Sequence, residues 1–259
     1  MSVLRRTFLS LAPILPLVST ASFRQGAVSN IVPSNFPSHD PEVSREMVAV
    51  SHGNAARVRE LLSNRPALAN ASWDWGYGDW ESALGAASHV GNQEIARLLL
   101  AAGARPTIFS AAMLGQVETV RAFVAASPGV QKTRGPHGLT LLSHARAGGA
   151  AASDVVKFLE SVGDADPRYT NEPLTDGDKA AIAGVYAFGP GVTERLTVAI
   201  GERGPSIQRD GGAPRGLLHL GARVFHPIGA EAVRIRFSAG DRAEQVTVED
   251  GGLVVVGKR

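Results

Sequence analysis

Ser82-Ala-Leu-Gly-Ala-Ala-Ser-His89-Val-Gly91-Asn-Gln-Glu-Ile95-Ala-Arg-Leu98-Leu99-Leu100-Ala-Ala-Gly103-Ala104 is the stretch that decides the fold. Ile95, Leu98, Leu99 and Ala102 recur at i, i+3, i+4 and i+7, the spacing of an amphipathic helix. The alanines before Gly91 suit a second helix that packs closely on a neighbour. Gly91 can take the positive φ that a sharp turn between two helices requires. The block therefore predicts a helix pair with one apolar face that only another element can cover.

Similar blocks lie on either side. Gly53 precedes Val58, Leu61 and Leu62; Gly115 precedes Glu118, Val120, Phe123 and Val124; Gly149 precedes Val155, Val156, Phe158 and Leu159. Gly138-Leu-Thr140-Leu-Leu142 supplies a further helix opening. The stretch from Ser82 resembles the ankyrin repeat nearly position for position, with Ser82, Ala83 and Gly85 standing where that family has Thr, Pro and His. The resemblance spans about residues 42–167 and implies about four stacked helix pairs, with β-hairpin fingers between them, gripping a protein partner on a concave face. The glycines at 53, 91, 115 and 149 are spaced by 38, 24 and 34 residues, against about 33 in ankyrin arrays. The first finger is thus expected to be long and the second nearly absent.

The long finger, Ala71 to Glu81, holds all three tryptophans, Trp73, Trp75 and Trp80, together with Tyr77 and the carboxylates Asp74, Asp79 and Glu81. Clustered aromatics and carboxylates suit an interaction hot spot or a sugar- or cation-binding platform, and equally a local plug over the missing finger. Trp80, beside the helix start, is expected to be the anchor, and Trp75 with Tyr77 at the tip the reader. His137 and His144 are added to the candidate binding set, Trp73, Trp75, Tyr77, Asp79, Trp80, His137 and His144, since both can face the concave side. His52 and His89 stand just before the repeat glycines and are explained by the repeat pattern.

From Ala183 the pattern changes to period two: Leu196, Val198 and Ile200; Val233, Ile235 and Phe237; Val246 and Val248; then the apolar run Leu253 to Val256. Turn residues at Gly189, Gly201, Gly211, Gly229, Gly240 and Gly251 divide this into seven or eight short strands, most simply an antiparallel barrel or sandwich. Ala183-Gly-Val-Tyr186 and Glu249-Asp-Gly-Gly-Leu253 resemble the small β-domains appended to some secreted serine-hydrolase-like bacterial proteins, which implies a fold and no catalytic residue. The expected class is α+β multidomain: a helical ankyrin-type solenoid followed by a small all-β domain.

The chain begins with a secretory layout. Arg5 and Arg6 precede a short apolar stretch broken by Pro13 and Pro16, and small residues precede Ala21 and Ser22, the expected cleavage point. Arg5-Arg6-Thr7-Phe8-Leu9 resembles the twin-arginine export motif, with Leu4 in place of its usual Ser; an ordinary Sec signal is the alternative. Either route implies a periplasmic or secreted bacterial protein without a stable membrane anchor. The expected organisation is signal 1–21, linker 22–41, repeats 42–169, linker 170–181 and β-domain 182–259.

Of 26 basic and 24 acidic residues, two basic ones lie in the signal, so the remainder is balanced and no basic stripe recommends nucleic acid as a partner. The absence of cysteine excludes disulfides and thiolate metal sites. No G-x-S-x-G, H-E-x-x-H or P-loop pattern occurs, and Asp164 with Asp166 lacks the rest of a calcium loop. The expectation is a non-catalytic binding protein with no cofactor, no metal and an unidentified protein partner. The alternative is a small-ligand binder or enzyme with a pocket between finger 72–81 and repeats three and four.

Overall fold

The computed structural model describes residues 36–190 and 194–259, and His39–Arg259 form one compact unit. The export motif with Arg5, Arg6, Phe8 and Leu9, and the cleavage point at Ala21 and Ser22, lie outside the described residues.

The described residues are mixed α/β, with nine α-helices and a closed eight-stranded barrel. Eight helices form four consecutive pairs: α1 (Pro41–Val50) with α2 (Ala55–Asn64), α3 (Ala83–His89) with α4 (Gln93–Ala101), α5 (Ile108–Met113) with α6 (Val117–Ala126), and α7 (Leu141–Ala147) with α8 (Ser153–Val162). Each first helix is capped locally. Asp40, Ser82, Thr107 and Thr140 accept from backbone N–H groups of the opening turn.

The first helices stack α1 on α3, α3 on α5 and α5 on α7. Alanine makes this approach possible: Ala83, Ala86, Ala87, Ala111, Ala112 and Ala145 are buried at the contacts. The turn glycines are forced. Gly91 has φ +75°, and a Cβ there would lie 2.1 Å from the Ala147 carbonyl oxygen. Gly115 has φ +76° and the same conflict with Ala151.

The long connection after α2 carries a hairpin of β1 (Ser72–Asp74) and β2 (Trp80–Ser82), with Trp73 opposite Glu81 and Asp74 opposite Trp80. Between α4 and α5 there is no hairpin, as the 24-residue glycine interval predicts. The Asn70 side chain holds this short link, donating to Gly103 O at 3.0 Å and accepting from Arg105 N at 3.1 Å. Before α7 the chain makes a smaller finger, with Arg134 bridged to Thr140 and a tight turn at Pro136–Gly138.

The segment read as a linker at 170–181 contains most of α9 (Asp176–Ile182), whose Ala181 and Ile182 are buried. It leads into β3 (Gly184–Ala187), β4 (Arg195–Gly201), β5 (Gly204–Arg209), β6 (Arg215–His219), β7 (Val224–Pro227), β8 (Arg234–Phe237), β9 (Gln245–Asp250) and β10 (Leu253–Lys258). Neighbours in sequence pair antiparallel, and β10 closes on β3. Between the two β possibilities of the sequence, the structure is a barrel.

Inward positions follow the period-two reading: Leu196, Val198, Ile235, Phe237, Val246 and Val248 fill the interior around Tyr186 and Phe225. Strand β10 departs from it. Val254 and Val256 are exposed because only one face of a barrel strand can point inward, the side that Val255 takes; Leu253, at the strand's first position, is exposed as well.

The barrel and helices meet at the fingers. Gly229, between β7 and β8, packs backbone to backbone on Gly138, and a Cβ on either would stand about 3 Å from main-chain atoms of the other. Arg134 lies 3.6 Å from the centre of the Tyr169 ring, and Tyr169 donates to Glu231 at 2.8 Å.

Candidate functional site

The long finger has two working faces, and its tip fixes both. Gly76, Tyr77 and Gly78 all have positive φ, at 104°, 59° and 75°. Tyr77 is not a glycine, so this conformation carries strain that its surroundings must offset. It packs against the barrel core, which holds it there. The loop is closed by Trp75 N–H donating to Asp79 O at 3.1 Å and Gly76 N–H donating to Asp74 Oδ1 at 2.8 Å.

On the outer face, Trp80 is 64% exposed beside a groove of about 340 Å³. Phe109, Arg134, Pro136, Gly229 and Glu231 line it with Asp79 and Trp80. The expected roles of the aromatics are therefore redistributed. Trp80, read as the anchor, lies outside; of the expected reader pair, Tyr77 is packed on the barrel core and Trp75, with Trp73, partly against the helix core.

The inner face gathers side chains that the sequence does not bring together. Glu81, fully buried on β2, faces His52 just after α1, His89 at the end of α3 and His137 in the turn Pro136–Gly138. His89 Nε2 lies 3.0 Å from both Glu81 Oε1 and His52 Nε2; His137 Nε2 is 3.4 Å from Glu81 Oε1 and His52 Nε2 is 3.6 Å from Oε2. Trp75 Nε1–H donates to Glu81 Oε2 at 2.8 Å, whereas Oε1 receives no well-aligned hydrogen bond.

Asp79, also buried, clamps His137. Its Oδ1 accepts from the His137 backbone N–H at 2.8 Å, and its Oδ2 lies 2.8 Å from His137 Nδ1. The same Oδ2 receives Arg215 of the barrel at 2.9 Å. This clamp sustains His137 at φ +58°. Burial alone would raise the Glu81 carboxyl, but the His137 and His89 imidazoles close to its Oε1 outweigh it and hold the pKa at about 2. Burial also opposes the lowering of Asp79, which His137 achieves. Asp79 and then Glu81 raise His137 to about 9.

His144 stands apart from this group. It is fully buried, its Nδ1–H donates to Thr140 O at 2.8 Å, its ring lies 4.7 Å from Phe109, and its Nε2 has no partner. Burial pushes its pKa down to about 4. Of the predicted binding residues, the structure brings Trp75, Asp79 and His137 to the inner cluster and Asp79 and Trp80 to the groove. His52 and His89, explained by the repeat pattern, and Glu81, one of the finger's carboxylates, stand outside the predicted binding set. The signal was available, since equivalent positions in successive stacked units are neighbours, and His52 and His89 are such a pair.

With the geometry in place, comparison of the chain with family models, curated proteins and solved structures yields no match.

Proposed function

We propose that this chain is an exported, non-catalytic binding protein of ankyrin type, whose recognition surface is the outer face of the long finger. The observation that carries the reading is Trp80. The finger buries Glu81 and Asp79 on either side of it, yet leaves this large aromatic in solvent at the rim of a groove. An exposed tryptophan in a tightly held hairpin contributes little to folding and supplies the rigid apolar contact that partner interfaces use. Four helix pairs stacked through their first helices support the ankyrin reading. The layout around Arg5 and Arg6 supports export to the periplasm or beyond.

The test compares immobilised wild-type chain with Trp80→Ala in pull-downs from periplasmic extract. Trp80→Ala should change stability by less than about 0.5 kcal/mol, as for an exposed site, while weakening the captured partner by about 2 kcal/mol or more. Capture that is unchanged by Trp80→Ala would remove the finger from the interface. The groove volume also falls in the range of small-ligand sites, about 300–1,000 Å³. A metabolite that raises the melting temperature of wild type but not of Trp80→Ala, with no captured protein, would favour the ligand reading.

A further inference from the structure

We propose that His52, Glu81, His89 and His137 form a binding site for one divalent transition-metal ion of the zinc class. The four donor atoms come from four separate elements, and all lie within 4.8 Å of one another. Bonds of about 2.0–2.1 Å from a tetrahedral ion put its donors roughly 3.3 Å apart. Around Glu81 Oε1 and His89 Nε2 the separations are 3.0, 3.0 and 3.4 Å, close to that value.

Hydrogen bonding fixes which nitrogens point inward. His52 Nδ1 lies 3.0 Å from the Ala49 carbonyl oxygen, which can only accept. Nδ1 therefore carries a proton, and neutral His52 presents an Nε2 lone pair to the cluster. His137 Nδ1 faces the Asp79 carboxylate at 2.8 Å and keeps its proton there, so the ion displaces the proton on Nε2, the nitrogen that points into the cluster. A carboxylate behind a ligating imidazole is the usual outer-sphere partner of such sites. Trp75 performs the matching task for Glu81, engaging Oε2 and leaving the buried Oε1 without a well-aligned donor. Three imidazole nitrogens converge on a buried carboxylate, and a divalent ion can take the place of the protons now shared among them.

The donor set selects the class. Three imidazoles and one carboxylate suit zinc and its first-row neighbours, whereas calcium and magnesium take oxygen-rich sites. The side chains of His52 and His137 remain 33% and 34% exposed, so an ion has an entry path and a face open to water.

The test uses the full chain without a polyhistidine tag, stripped with chelator and titrated with Co²⁺, then Zn²⁺. The expected result is one Co²⁺ per chain with a visible d–d band that one equivalent of Zn²⁺ abolishes. His52→Gln and His89→Gln should each weaken Zn²⁺ binding at least about tenfold. Asp79→Asn keeps all four ligands and should weaken it by about 10–100-fold, with far-ultraviolet circular dichroism unchanged. Anomalous scattering from zinc-grown crystals of wild type covers the case of a variant that does not fold: a peak should stand between the four side chains. Absence of a band and of Zn²⁺ binding tighter than millimolar would overturn the proposal. So would Zn²⁺ binding that His52→Gln and His89→Gln leave unchanged, or an anomalous peak elsewhere.

Discussion

His144 shows how a residue type can suggest chemistry that its surroundings deny. The sequence pairs it with His137, since both can face the concave side of a repeat stack. The structure seals it under Phe109 with one backbone hydrogen bond, and burial holds it neutral with a pKa of about 4. The unfolded chain binds this proton near pH 6.5, so the contribution of neutral His144 is complete above 6.5 and is lost as pH falls toward 4. The shift of 2.5 corresponds to about 3 kcal/mol over that window. In chelator-treated chain, urea unfolding between pH 7 and 4 should show this acid limb, and His144→Leu should flatten it. An unchanged limb would place the loss elsewhere. Asp79 and His137 were legible as candidates because the finger is unusual in sequence. Glu81, His52 and His89 were not, because each is ordinary in its own segment. Only the stacking of α1 on α3 and the fold-back of the hairpin make them neighbours.

The helix pairs were legible because their signals are local: a 3.6-residue apolar period and turn glycines. The odd glycine spacings were equally informative, placing a hairpin after α2 and none after α4. Alternation marks β4, β8 and β9, and an apolar run marks β10 while hiding which side faces in; β5, β6 and β7 carry no clear alternation and were bounded only by turn residues. The turn glycines allow a graded test. Gly103 has φ +91° with open space around its Cβ position, so Gly103→Ala should cost about 1 kcal/mol from the left-handed backbone alone. Gly91→Ala adds a collision with the Ala147 carbonyl and should cost a further 1–3 kcal/mol or so by chemical denaturation. Equal costs at the two sites would mean that α3 and α7 do not approach as described.

The pattern changes to period two at Ala183, which suggests separate helical and β-domains; helices give way to strands there, after α9, while His39–Arg259 form one compact unit. Contacts made by side chains far apart in sequence were not legible. Tyr77 reaches the barrel core, Arg215 reaches back to Asp79, and Gly138 meets Gly229. The long finger thus touches the helix stack, the barrel and the His/Glu cluster at once. All three tryptophans lie within it, so their fluorescence reports on the finger alone, while far-ultraviolet circular dichroism reports on the whole fold. Equilibrium unfolding of the full chain followed by both signals tests whether the finger joins the parts. The two curves should superimpose in one transition, and Arg215→Met, which removes the bond to Asp79, should shift both together. A tryptophan transition well separated from the circular dichroism transition would contradict the account, leaving the finger a loose insertion between two independent domains.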